Sequence, residues 1–283
     1  MKNFYYTKMS SLYLTIIIGL NTYAYYNQMK PLNFFIIFHD KLFQENTSGF
    51  SPTELDAFTW VAVNEKIPKQ IPDWIPKNSL LKEYEMKIHS PLYQMLNFYQ
   101  NSVFFHLYWN KELITSKYIG FGQYDMSFSA DDFRKVTEII KEDSGDKIIP
   151  VFLYPFAALC ITEKLSVWEE TFLTPYNSFY KMNHTFKSIE HIPLALMHTF
   201  IMPTWFFLHM MPFVESILPN ILKIMNWDTR HLAGNLERVF ALCISFGIVE
   251  GKFRQLVQLH GVRHIESQHS ADALRDIKEG CAK

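Results

Sequence analysis

Over the first 160 residues, short apolar runs alternate with segments of helical period, and polar residues sit where the runs stop. Residues 33–39, NFFIIFH, are entered from Pro31 and predict a buried strand ending at His39-Asp40. In SPTELDAF, Ser51 stands three residues before Glu54, the spacing of a capping box, and predicts a capped turn. TWVAV, residues 59–63, predicts a second strand ending at Asn64-Glu65, whereas the prolines of IPKQIPDWIP exclude a regular element. From Ser90 to Asn110 apolar residues recur at helical spacing behind Pro91, which suits a first helical position with Ser90 as cap. Residues 118–123, YIGFGQ, predict a strand that runs directly into Tyr124-Asp125. SADDFRKVTEIIKED then predicts a helix capped by Ser129, with Phe133, Val136, Ile139 and Ile140 on one face, and DKIIPVFLYPF predicts a further strand.

This alternation predicts an α/β fold with a mostly parallel, Rossmann-like sheet flanked by helices. Residues 191–222 are strongly apolar, but prolines at 193, 203, 212 and 219, with His191, His198 and His209, argue against a simple membrane span. They read as buried or partly interfacial helix and loop, either plain core or the lining of an acceptor cleft. Residues 29–283 therefore form a single expected domain with a helical C-terminal part from about residue 190. Residues 1–28 read as an appendage. Within them, residues 11–26, SLYLTIIIGLNTYAYY, would reach roughly 24 Å as a helix against a ~30 Å hydrocarbon core, which leaves a membrane anchor open. No cleavage pattern of a secretory signal follows.

Composition narrows the classes. A net charge of −1 with no basic block excludes a nucleic-acid surface, and 48% apolar residues with only 10 Gly argue against disorder. Cys160, Cys243 and Cys281 form no close pair, which reads as a reducing, cytoplasmic compartment, with membrane association through residues 11–26 still open.

In parallel sheets ligands lie beyond the carboxyl ends of the strands. That rule selects His39-Asp40, Asn64-Glu65 and Gln123-Tyr124-Asp125 as one candidate site. Individually each has a plainer role: His39 as a strand cap, Asn64 in a turn, Asn110 as a helix C-cap, Tyr124 as a buried aromatic. The phosphate loop, the glycine-rich dinucleotide fingerprint, the zincin motif and the nucleophile elbow are all absent. A sugar-nucleotide transferase fits what remains. It must neutralise a diphosphate leaving group, and a strand-end carboxylate holding a divalent cation is one solution. Asp125 is placed to supply that carboxylate.

The segment YQNSVFFHLYWNKELITSKYIGFGQYDMSF resembles GT-A-type glycosyltransferases, among them bacterial capsular-polysaccharide transferases and small transferases of large DNA viruses. The matching elements are Ser102, His106, Trp109-Asn110-Lys111, residues 118–121 and Gln123-Tyr124, dense over about 30 residues and looser from Asn33 to Met182. Many bacterial relatives carry Arg after the Tyr, where this chain has Asp125. The resemblance implies a GT-A-like fold, a nucleotide-diphosphate sugar as donor, a glycan or other hydroxyl acceptor, and Mn²⁺ or Mg²⁺ at Asp125. His39, Asn64, Asn110, Gln123, Tyr124 and Asp125 are then the expected donor-site residues, with His264 as a second metal ligand.

An inverting transferase needs a carboxylate to take the acceptor proton. Glu237, in the Leu-Glu-Arg of RHLAGNLERVF, is the first candidate, with Arg238 expected to pair with it or with phosphate; Glu169 and Glu170 are rivals. In LHGVRHIESQH, His260 and His264 stand four apart, a spacing that one helix face would share. A noncatalytic carbohydrate- or partner-binding protein on a degenerate transferase scaffold is the alternative from another class. A membrane-attached scaffold using residues 11–26 and 191–222 is a third.

Overall fold

A computed structural model describes residues 29–43, 48–95, 98–141, 145–224, 231–260 and 262–265. Residues 11–26, His269 and Cys281 lie outside the described residues, and the expectations made for them with them.

The strands are β1 Lys30–Phe38, β2 Phe58–Ala62, β3 Leu80–Lys82, β4 Ser116–Gln123, β5 Met126–Ser127, β6 Lys147–Tyr154, β7 Leu194–Pro203, β8 Gln255–Leu256 and β9 Arg263–His264. The helices are α1 Pro52–Leu55, α2 Pro91–Met95, α3 Asn101–Trp109, α4 Ala130–Lys141, α5 Leu165–Trp168, α6 Thr174–Tyr180, α7 Thr204–Ile224 and α8 Leu232–Val249. One mixed sheet runs in the order β3-β2-β1-β4-β7-β6-β8, and β5 pairs with β9 in a separate ribbon. β3, β2, β1 and β4 are mutually parallel. β7 is antiparallel to both β4 and β6, so β6 points the same way as β4. The expected α/β architecture, a mostly parallel sheet flanked by helices, is therefore the observed one.

Alternate residues of β1 face opposite layers, as strand geometry requires. Phe34, Ile36 and Phe38 join Trp60, Phe133, Val136 and Ile140 on the α4 side. Phe35 and Ile37 join the larger core formed with α3, α7 and α8. The two glycines of YIGFG have a steric reason. A Cβ on Gly120 would stand 2.4 Å from the Phe34 ring, and one on Gly122 would stand 2.8 Å from it. The Ser51 capping box forms in full, and Ser129 Oγ accepts from Asp132 N at 3.0 Å to cap α4.

Three expectations are corrected. Residues 194–203, read as helix and loop, are strand β7, nearly all buried in mid-sheet. Burial on both faces removes the polar alternation by which a strand is recognised. The segment from Ser90 to Asn110 is two helices, because Tyr99 takes a left-handed φ of 51° between α2 and α3. His260 and His264 share no helix face, since His264 lies in β9.

α7 and α8 are long and apolar enough to cross a membrane by length and composition, with 56% and 72% of those stretches buried inside the protein. Pro212 and Pro219 lie within α7.

Candidate functional site

The sheet order places the carboxyl ends of β2, β1 and β4 side by side, bringing Asn64, His39 and Gln123-Tyr124-Asp125 to one edge. There the Tyr124 ring lies 6.4 Å from the His39 ring, edge-on, and stacks on Phe43 at 6.2 Å. Burial lowers the pKa of His39 against the pull of Asp40, which favours a neutral imidazole able to donate and accept. Beside it opens a cavity of about 130 Å³ whose walls include His39, Val63, Asn64, Ile67, Gln94 and Tyr99.

Asn64 has the left-handed φ of 61° that its residue type tolerates. Its carbonyl accepts from Lys69 Nζ at 2.6 Å, so the expected turn role is real, and the residue also lines the cavity. Gln123 Nε2 donates to the Met197 carbonyl at 2.9 Å, tying β4 to a kink in β7 where Met197 and His198 both have positive φ. His198 is buried between Phe104 and Phe240, and burial holds its pKa down at about 3, so the imidazole is neutral.

Asp125 is 8% exposed. Its carbonyl accepts from Ile265 N at 2.8 Å, and Met126 pairs with His264 in the β5–β9 ribbon. The backbone of His264 is thus held one residue from Asp125 in register. Among the described residues no group of three or more His, Cys, Asp or Glu is placed to hold a metal ion.

Asn110 does not line this cavity. It is 1% exposed, its Nδ2 donates to the carbonyls of Ile88 and His106 at 2.7 Å each, and its Oδ1 accepts from Ile88 N at 2.9 Å. Every hydrogen-bonding group of that side chain is committed to backbone, the helix-cap role.

β6 ends at the same edge with Tyr154, whose hydroxyl pKa is raised by burial and by the neighbouring Glu237 carboxyl. Glu237, in the first turns of α8, has Oε1 enclosed with no hydrogen-bond partner among the described residues. Burial raises its pKa to about 7, with Arg238 opposing. Arg238 does not pair with it as expected. Its Nε donates to the Ala158 carbonyl at 3.2 Å and its Nη1 to the Gly234 carbonyl at 2.9 Å. Glu169 and Glu170 lie on a π-helical turn with exposed side chains.

Sequence reasoning missed the network behind the cavity. Glu83 and His106 are wholly buried, with His106 Nδ1 2.7 Å from Glu83 Oε1. Ser90 N donates to His106 Nε2 at 3.0 Å, so the ring proton is on Nδ1 and is given to Glu83. Gln94 Nε2 donates to Glu83 Oε2 at 3.0 Å. A buried Glu just after a strand was the available signal, but β3 has only three residues and leaves no readable apolar run.

No family model and no curated protein matches the sequence. Among solved structures, that of the bifunctional glycosyltransferase WbbM in its apo form aligns over 83% of this chain, with 12% identity and a TM-score of 0.48. The chain spans 45% of that protein's length.

Proposed function

We propose that this protein is a glycosyltransferase that moves a sugar from a nucleotide-diphosphate donor to a hydroxyl acceptor such as a glycan. The carrying observation is the shared edge: three strand ends side by side, two of them giving His39 and Asn64 to a cavity wall and the third running into Tyr124 and Asp125, beside the strand that bears His264.

In this reading the nucleoside occupies the cavity, and Asp125 and His264 are the residues that would hold Mn²⁺ or Mg²⁺. The cation's contribution is to offset the charge that develops on the leaving diphosphate. The acceptor oxygen forms its bond to the anomeric carbon as the bond from that carbon to the diphosphate oxygen breaks. Glu237 takes the acceptor proton. A pKa near 7 suits it to that task, since the carboxylate form is available at neutral pH while its proton affinity is well above that of an ordinary Glu. A single displacement with a base on the acceptor side corresponds to inversion. Glu169, the rival, is exposed on its π-helical turn.

Calorimetric titration with nucleoside diphosphates, with and without Mn²⁺, tests the donor half. Metal-dependent binding that Asp125→Asn loses is the expected result. A folded protein that binds no nucleotide under either condition would overturn the reading and leave a noncatalytic binding protein.

A further inference from the structure

The edge of the sheet opposite the candidate site has a character of its own. Lys30 opens β1 and pairs with Ser116, which opens β4. β7 runs against β4 and finishes there, with Pro203 opposite Tyr118, and Thr204 Oγ1 donates to the Ser116 carbonyl at 2.8 Å as α7 begins. Trp205 follows, its Nε1 donating to the Gly145 carbonyl at 3.0 Å and its ring stacked on Phe253 at 5.8 Å. From Phe253 the ring contacts continue through Phe206 and His209 to Tyr180 and Phe179, at centroid separations between 4.5 and 6.4 Å. Beside them, Met182 follows Tyr180 closely, and Val249 ends α8 just before Lys252, whose Nζ lies 5.0 Å over the Tyr180 ring. Phe179, Met182, Trp205 and Val249 are each 38–46% exposed. Apolar side chains scattered singly on a surface need no explanation, but a contiguous aromatic set does.

Two further observations say what covers it. One is where the chain enters. Tyr26 stands four residues before Lys30 in the sequence, so it lies within roughly 14 Å of the start of β1 whatever path the chain takes. It closes the apolar run of residues 11–26, whose Tyr23, Tyr25 and Tyr26 are the residue type of a membrane–water interface. The other is charge. Lys30 and Lys181 are exposed at this edge, while the acids Glu250 and Asp146 are held in ion pairs by Lys252 and Arg254. Lysines around exposed apolar side chains match anionic headgroups over acyl chains. A protein partner would account for the patch and leave the apolar run at its border unexplained.

We infer that this edge is a membrane-docking surface, on which Phe179, Met182, Trp205 and Val249 enter the headgroup layer of an anionic bilayer beside residues 11–26. The inference does not depend on the transferase reading. It does orient the molecule, since the cavity at His39 and Asn64 belongs to the edge turned away from lipid.

The test is flotation of the full chain with vesicles of phosphatidylcholine and phosphatidylglycerol, with a polarity-sensitive fluorophore at one of two positions. Cys160, exposed in the 3₁₀ turn after β6, is the control position on the site's side. In Cys160→Ser with Met182→Cys the label sits in the patch, and both proteins carry Cys281→Ser. The protein should float. The label at position 182 should shift to the blue and be quenched by spin-labelled lipid, and the label at position 160 should do neither. Phe179→Ser with Met182→Ser and Val249→Ser, all at exposed positions that the fold tolerates, should weaken vesicle affinity on the order of tenfold, the weight of about two buried methylenes. A full chain that stays in the aqueous fraction would overturn the inference. So would a floating protein whose label at position 182 remains in water, because residues 11–26 would then anchor it alone. A label at position 182 already shifted without vesicles, in a protein of twice the monomer mass, would give the patch to a second copy and overturn it as well.

Discussion

His106 donates from Nδ1 to Glu83 Oε1 across 2.7 Å, and neither side chain is exposed to water. The pair fastens α3 to the turn after β3, and Ser90 N and Gln94 Nε2 complete it. Removing one member of a buried, hydrogen-bonded pair leaves the other stranded, at a cost of roughly 3–5 kcal/mol. His106→Ala should therefore lower stability by an amount in that range in urea denaturation. The double variant Glu83→Met with His106→Leu should recover much of the loss, because no buried polar group is then left over. A single variant that costs under about 1 kcal/mol would show that the pair is not integral to the fold.

Gly120 is set by the Phe34 ring. A Cβ at that position would meet Phe34 Cδ2 at 2.4 Å and Ile201 Cγ1 at 3.0 Å, with mid-sheet backbone on both sides. Gly120→Ala should cost about 1–3 kcal/mol by overpacking. Adding Phe34→Leu should reduce that penalty relative to Phe34→Leu alone, a coupling that a double-mutant cycle reads directly. Additive losses would mean that the ring simply moves aside.

Strands β1, β2, β4 and β6 were legible because each is an apolar run closed by polar residues, and two of those closing residues, His39 and Asn64, line the cavity. β7 was not. Its LALMHTFIMP continues without a break into the apolar sequence of α7, and a strand buried on both faces lacks the period-two signal. Asn110 was legible as a helix cap and misplaced as a ligand, since sequence does not reveal that its amide is consumed by Ile88 and His106. Gln94, Tyr99 and Glu83 were illegible as site residues. They meet through the fold of the chain between β3 and α3, and no spacing encodes which end of an amide a buried carboxylate will hold.

Asn64 carries two roles that one substitution separates. Glycine takes a φ of 61° without strain, so Asn64→Gly should leave thermal stability nearly unchanged, and the Lys69 hydrogen bond to its carbonyl should survive. The variant removes the side chain from the cavity wall, and with it the hydrogen bond that Asn64 Oδ1 accepts from Lys66 N at 3.3 Å. In the proposed donor site its nucleotide affinity should fall several-fold, about 1 kcal/mol for one lost hydrogen bond. Asn64→Val should instead destabilise the protein by roughly 1–2 kcal/mol, since a β-branched residue resists the left-handed region. Unchanged affinity in Asn64→Gly would reduce the residue to its turn.

Glu237 links stability to pH in the sense opposite to a salt-bridged acid. Its pKa rises from an ordinary value near 4.5 to about 7 on folding, because its carboxyl is enclosed with Oε1 unpaired among the described residues. Between those values the folded protein binds more protons at this site than the unfolded chain does. Stability from this group is therefore present at pH 4.5 and below, and is lost as pH rises through about 7. The full span corresponds to up to roughly 3 kcal/mol, an upper figure because part of the side chain reaches the surface. Glu237→Gln keeps the neutral shape at every pH. Relative to wild type it should gain stability progressively from pH 5 to pH 8.5 in paired denaturation curves, while a base assigned to the acceptor should leave that same variant unable to transfer sugar. A constant difference between the two proteins across that range would mean that the carboxyl titrates normally, and Glu237 would lose its claim as the base.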